Sequence, residues 1–283
     1  MILELTQETG ASVRQICRAL ALPRSSFYGA AAPRSKEDAD TQLGFLIETI
    51  FRRHRRRYGY RRLARELRAH GVVCAPARIR RLMAQRGLRA LQPRRFRPQT
   101  SDGRAHQPAP NLLLQQPFPS APNQVWAGDI TYLRTESGWL YLAVVIDLYS
   151  RRILGWSLGA SLHAQLVTAA LTQAVQTRPV RDTIFHSDRG SQYGSQLFRR
   201  LLATAGLRQS MSARANPYDN AWTESFIGTL KLEMLQDGVF QNAADAHAEL
   251  FDYIDGYYNT RRQHSALGYL TPAQFEASFL SQS

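Results

Sequence analysis

Cysteine and lysine are almost missing from this sequence, with two of each in 283 residues. Cys17 and Cys74 stand alone, with no CxxC and no His pair nearby. That spacing excludes a disulfide framework or a Cys/His zinc module, and both read as reduced core residues of a cytosolic protein. Long apolar runs are missing as well. The longest, WLYLAVVI, covers eight residues and is too short to cross a bilayer. The opening MILELTQETG has no basic stretch of the kind that begins a secretory leader. These absences leave a cytoplasmic protein with no membrane role.

Positive charge is what the chain has in excess. The net charge is +14, and 34 of the 36 basic residues are Arg. Residues 1–120 carry +15 and residues 121–283 carry −1. Residues 51–97 alone hold 17 arginines against the single acid Glu66. A GC-rich genome explains Arg over Lys but not this segregation, which is the footprint of a nucleic-acid-binding region joined to something else.

Periodicity divides the chain further. Residues 1–30 read as a partial helix-turn-helix, with Val13, Ile16, Cys17 and Leu20 at helical spacing, a break at Pro23, and Ser25 able to cap a second helix. Residues 31–40, small and polar, read as a linker. Residues 41–95 read as a basic helical DNA-binding domain of three helices: one through Leu43 and Phe51, one starting near Tyr60, one through Ile79 and Met83. Between the first two lies RRHRRRYGYRR, whose Arg52, Arg53, Arg55, Arg56 and Arg57 recur too tightly for one helical stripe. With Tyr58, Tyr60, Arg61 and Arg62 they suit phosphate contacts combined with stacking. Residues 96–120, rich in proline, read as a linker.

The pattern then changes to strands. Residues 124–134 and 139–147 predict a hairpin around TESG, followed by strands near 150–158, 182–187 and 207–212 and helices near 162–177 and 195–206. The expectation is an α/β, ribonuclease H-like mixed-sheet core over 121–240. A C-terminal helical extension over 241–283 follows, with one helix near 243–258. A second begins at Thr271, where TPAQ supplies an N-cap, a first-turn proline and a capping box.

Three carboxylates stand out in that second half. Asp129 lies in the strand-like VWAGDITYL, Asp188 ends a strand in TIFHSDRGSQY, and Glu224 opens the helix-like NAWTESFIGTLKLE, with 35 residues between it and Asp188. Singly they could be an edge-strand polar residue, a turn former and a first-turn acid. Brought within about 4 Å, they would repel by roughly 1–4 kcal/mol per pair. Such a group must either take up protons or bind divalent cations, and the second option makes a phosphoryl-transfer site. Asp147 is a rival for the second acid, because a one-residue register shift would move it onto the face of Asp129. Asp219 is a rival for the third. His186 shares the strand face of Asp188 and is either a substrate contact, a support to the acids or a buried, hydrogen-bonded His. At 100° per residue Lys231 falls about 20° from Glu224 on the next helix, so a cation and an acid share one face. Trp222, Phe226 and Leu230 fall on the opposite, apolar face, where Glu233 is out of place.

The set WAGDIT, HSDRGSQY and NPYDNAWTESFIGTLKLE resembles the catalytic core of retroviral integrases and DDE transposases. RYGYRRL, DLYSRRILGW and YYNTRRQHSALGYLTPAQF narrow the resemblance to the OrfB proteins of bacterial insertion sequences of the IS-three family, over residues 11–276. The resemblance implies that Asp129, Asp188 and Glu224 are the catalytic, metal-binding triad and that Asp147 is structural. Asn220, Arg261, His186 and His264 are then candidates to support the acids or touch substrate. Unlike retroviral integrases, the chain has no paired His and Cys near its start.

It further implies two Mg²⁺ ions, with Mn²⁺ able to substitute, and Mg-dependent cleavage followed by attack of a 3′-OH on a second phosphodiester. The expected partners are double-stranded DNA, as terminal repeats and target, and further copies of the chain assembled on it in a bacterial cytoplasm, near the nucleoid. Two other functions share these features. A catalytically inactive DNA-binding regulator would not nick DNA, and a nuclease or resolvase of the same fold would cut without joining. The sequence leaves open whether the chain acts alone, or is fused to or regulated by an upstream-frame protein.

Overall fold

A computed structural model describes residues 10–20, 33–92, 108–114, 116–212, 221–235 and 239–281. The chain divides into two compact units, Met1–Leu91 and Gln92–Ser283.

In the first unit, α1 spans Val13–Ala19 and buries Ile16 and Cys17. Ser12 closes a capping box with Gln15 at its start. The second helix expected of the helix-turn-helix lies outside the described residues. Three helices then pack together: α2 (Pro33–Arg53), α3 (Tyr60–Ala69) and α4 (Pro76–Gln85). Residues 33–40, read from sequence as linker, are instead the first two turns of α2. The reason lies in the chain itself: after Pro33, which suits a first helical position, no proline interrupts the run. Asp40 then ties that end of α2 to α4 through Arg78 (Nε–Oδ1 2.7 Å) and Arg81 (Nη2–Oδ2 2.6 Å). The core is Leu43, Ile47, Ile50, Phe51, Tyr58, Leu63, Leu67, Ile79, Leu82 and Met83.

The second unit is built on a five-stranded mixed sheet. Its strands are β1 (Val125–Thr135), β2 (Gly138–Asp147), β3 (Ile153–Gly159), β4 (Ile184–Ser187) and β5 (Arg208–Met211). The order is β3-β2-β1-β4-β5, antiparallel on the hairpin side and parallel between β1, β4 and β5. β4 is buried along its whole length, as expected of a central parallel strand covered on both faces. This is the ribonuclease H-like arrangement that the strand pattern predicts.

The helices α5 (Ala164–Thr177) and α6 (Gln196–Ala205) cover one face, where Trp126, Ala143, Val145 and Phe185 point. Gly155 lets α5 approach β3, because a Cβ there would collide with the Ala170 carbonyl. The other face, with Val125, Ala127, Leu133 and Val144, meets α7 (Ala221–Met234) through Phe226 and Leu230. Burying each such side chain is worth about 1.5–3 kcal/mol.

Residues 241–283 are more than an extension. The helix α8 (Ala243–Phe251) runs into a π-helical segment, Asp252–Tyr258. Its wide turn buries Tyr253, Ile254, Tyr257 and Tyr258 in the same core as β1 and α7. The last helix, α9 (Pro272–Leu280), starts with the expected Thr271–Gln274 capping box. Glu276 pins it by accepting from Arg152 (2.7 Å) and Arg178 (2.7 and 2.8 Å). Part of the proline-rich linker also docks on this unit. Pro110 O accepts from Met211 N at 3.3 Å, and Leu112 N donates to Ser210 Oγ at 2.9 Å, both along β5.

Candidate active site

The parallel pairing of β1 with β4 places the first two acids. Val125 pairs with Ile184 and Ala127 with His186. Continuing that register sets Asp188 beside Asp129, on strands about 4.8 Å apart. Asp129 is buried and points to the face covered by α7, whose first turn carries Glu224. Asp129 is held by one backbone amide, with Ile130 N donating to its Oδ1 at 2.8 Å. Asp188 Oδ1 accepts from Gly190 N at 2.9 Å, and Gly190 leaves room for it, since a Cβ there would come within 3.0 Å of that oxygen.

The electrostatics show that the three acids share one field. Burial, then the charge of Asp188, and more weakly that of Glu224, push the Asp129 carboxyl from 3.8 up to about 8, against the Ile130 amide and the Lys231 cation. At neutral pH Asp129 therefore keeps its proton. Burial pulls Lys231 below the usual lysine range, and Asp129 partly restores it. Lys231 Nζ lies 4.2 Å from the centre of the Tyr132 ring. Two polar atoms near Asp129 and Asp188 have no hydrogen-bond partner although they are buried. One is Thr131 Oγ1, two residues along β1 from Asp129, and the other is the Tyr193 hydroxyl. Burial and then the charges of Asp129 and Asp188 raise the Tyr193 phenol well above its ordinary range.

Among the described residues no three His, Cys, Asp or Glu side chains stand close enough to hold a metal ion as they are. The tight three-carboxylate cluster expected from sequence is thus incomplete here. Like charges in a buried site separate, or hold a proton, until a counter-charge arrives. The donor set itself fits a hard divalent cation. It offers carboxylate oxygens only, one of them buried with a single lysine for compensation, beside orphaned hydroxyls.

Several predicted site residues are placed elsewhere. Asp147 pairs with Trp126, so it faces away from Asp129. It is fully buried and accepts from Asn123 N (2.7 Å), Ser150 N (2.8 Å) and Ser150 Oγ (2.9 Å), which makes it the clamp of the β2–β3 turn. His186 cannot touch substrate. It is fully buried, with Nδ1 2.8 Å from Ser210 Oγ and Nε2 3.1 Å from Ser212 Oγ, so it braces β4 against β5. His264 is buried as well, edge-on to Tyr258 at 4.8 Å and beside Arg262. Arg261 is exposed, its backbone amide donating to Tyr257 O. Asn220 and Asp219 lie outside the described residues.

In the first unit Tyr58 is unavailable for base stacking, because it is fully buried and stacked on His54 at 3.7 Å. Arg62 is half-buried over the Tyr58 ring and donates to Arg57 O. Arg57 is half-buried too, whereas Arg52, Arg53, Arg55, Arg56 and Arg61 are exposed. Tyr60 is half-buried beside Arg61.

Sequence reasoning missed the role of Glu233. It sits on the apolar face of α7 because Arg262 meets it with Nε (3.1 Å) and Nη2 (2.8 Å), and the Tyr253 hydroxyl donates to it at 2.9 Å. The misplaced acid in the helical wheel was the available signal.

Comparison with known proteins agrees with this architecture. Family models for an integrase core domain match residues 119–217 and 205–272, and one for an HTH-like domain matches residues 36–96. The chain is 41% identical over 271 residues to the transposase InsF of insertion sequence IS3A from Escherichia coli, covering 94% of each chain. The chain belongs to the IS3 family of transposases. The transposase is also 41% identical to that of element IS904 from Lactococcus lactis (86% of this chain, 96% of the relative). It is 39% identical to a 31 kDa protein of element IS600 from Shigella sonnei (93% and 98%). Among solved structures it is similar to a simian T-cell lymphotropic virus intasome chain (17% identity, TM-score 0.47, 75% of this chain and 70% of that chain). Another is the HTLV-2 integrase catalytic core in complex with magnesium (19%, 0.43, 56% and 98%). The transposase is a DNA strand transferase by family. No helix among its described residues is long and apolar enough to cross a membrane.

Proposed function

We propose that this transposase cuts DNA at the ends of its insertion sequence and joins the freed 3′-OH to a second phosphodiester, using Asp129, Asp188 and Glu224 as its catalytic carboxylates. The observation that carries this reading is the buried Asp129, its carboxyl raised to about 8 by burial and then by neighbouring acids, beside unpartnered hydroxyls. Two Mg²⁺, or Mn²⁺, held by these three residues would supply Lewis acidity at the scissile phosphate and lower the pKa of the attacking hydroxyl.

The chain's own groups supply the rest. Asp129 would have to lose its proton to hold a metal ion, so metal affinity should rise with pH. Lys231, in the field of Asp129, holds the phosphate of the strand being cut. Hydrolysis forms a bond from water oxygen to phosphorus and breaks the bond to the 3′ oxygen, which leaves as a 3′-OH. Joining forms a new 3′-O–phosphorus bond and breaks an existing one, so no high-energy cofactor is consumed. The exposed arginines of the first unit contact DNA phosphates, and copies of the chain assemble on the two ends.

The test is Asp188→Asn, assayed on labelled element ends with Mg²⁺. Nicking and joining should fall by roughly a hundred- to a thousandfold, with end binding unchanged. Metal-dependent cleavage that survives in this variant would overturn the assignment. Wild-type protein that binds but never nicks would be a regulator, and protein that nicks but never joins would be a nuclease.

A further inference from the structure

The end of the β1–β2 hairpin carries side chains that the carboxylate site does not explain. Trp139, just after the turn, is 53% exposed. Its indole meets Tyr132 edge to face, centroids 5.2 Å apart and planes at 81°. Trp139 pairs across the ladder with Arg134, so Tyr132, Arg134 and Trp139 share one face of the hairpin. Arg134 is exposed, and Lys231 Nζ reaches the Tyr132 ring from α7 at 4.2 Å. Lys231 stands two turns along α7 from Glu224, and Tyr132 lies three residues along β1 from Asp129, so Lys231 links this aromatic pair to acids about 10 Å away.

An exposed indole propped by a second ring and flanked by two cations matches what an unpaired nucleotide requires: a flat apolar surface for the base and positive charge for its phosphates. A protein partner would be a poor match, since the patch offers a single large ring between two like charges.

We propose that Trp139, set by Tyr132, is a stacking subsite for one unpaired base of the strand that the carboxylates attack, a few nucleotides from the reacting phosphodiester, with Lys231 and Arg134 holding the phosphates between. The subsite rests on the DNA-cutting reading above. It gives the site a preference for an end whose terminal pairs have opened.

Full-length protein, with Ca²⁺ in place of Mg²⁺ to prevent cutting, would be titrated against two labelled duplexes. One is fully paired and the other has unpaired nucleotides at one end. Wild type should prefer the opened duplex by roughly 5- to 150-fold, the range for a single base–aromatic stack. Trp139→Ala should lose that preference and keep its affinity for the paired duplex. Trp139→Phe should retain most of it, which separates stacking from a folding defect. A preference that survives in Trp139→Ala, or a wild type that binds both duplexes equally, overturns the subsite and leaves the DNA reading standing. A wild type that binds neither duplex overturns both.

Discussion

The helical unit and the carboxylate site of the second unit treat their acids in opposite ways. In the helical unit every acid with a perturbed carboxyl is matched to a base. Asp40 lies on Arg81 and Arg78, Glu48 on Arg52 and Arg86, and Glu66 on His54, and each is held below its ordinary range. In the catalytic unit Glu233 on Arg262 and Glu276 on Arg152 and Arg178 follow the same rule, while Asp147 is held by three hydrogen-bond donors instead of a base. Asp129 follows neither pattern. Its strongest charged neighbour is another acid, and its carboxyl is pushed up to about 8. The contrast teaches that acids serving only the fold are met by a base or, like Asp147, by several hydrogen-bond donors. An acid left among acids marks the place where something from outside is to bind.

That contrast can be broken at three points, beginning with the strongest. Glu233→Ala leaves Arg262 buried without its carboxylate and should cost about 3–5 kcal/mol. Urea unfolding would show it, whereas replacing both residues by Leu should recover most of the loss.

Asp129 should behave in the opposite sense. Its folded pKa, about 8, lies above the unfolded value, so the native state keeps a proton that the unfolded chain releases. Its contribution is fully present below about pH 3.9 and is lost as pH rises through about 8, by up to about 1.4 kcal/mol per pH unit. Thermal melts of wild type and Asp129→Asn should therefore diverge in favour of the variant over that window, and Mg²⁺ should close the gap. Parallel melting curves would show that Asp129 is an ordinary acid.

Asp40→Asn should be the mildest change. The ion pairs it breaks lie at the surface, where such pairs count for little. Stability should hardly move, while releasing Arg78 and Arg81 should tighten duplex binding and steepen its fall with salt. An unchanged salt slope would remove α4 from the DNA-binding face.

Alternation and helical spacing in the sequence were enough to place the strands, the α7 wheel and the Thr271 capping box, because those patterns depend on local geometry. Register was not readable. Whether Asp147 or Asp188 stands beside Asp129 depends on which residue of β2 pairs with Trp126, and alternation is the same in either register. Burial of polar side chains was equally hidden. Tyr58 read as a DNA contact, and the roles of His186 and His264 stayed open, because their partners, His54, Ser210 and Arg262, were identifiable only once the chain had folded. The start of α2 was missed because a small, polar, charged run reads as solvent-exposed whether it is helix or linker.

The edges of the sheet bear on how copies of the chain can meet. On β3, side-chain amides occupy the outward backbone groups: Asn259 bonds both the N and the O of Ile153 at 3.0 Å, and Gln173 takes Trp156 N at 3.0 Å. On β5, Pro110 O takes Met211 N, and Leu112 N bonds the Ser210 hydroxyl rather than the strand's backbone. Among the described residues these rungs are already taken, and they would have to be freed before another chain could add a strand there. A chain cut after residue 240 would lose Asn259, bare the β3 edge and invite strand-to-strand aggregation.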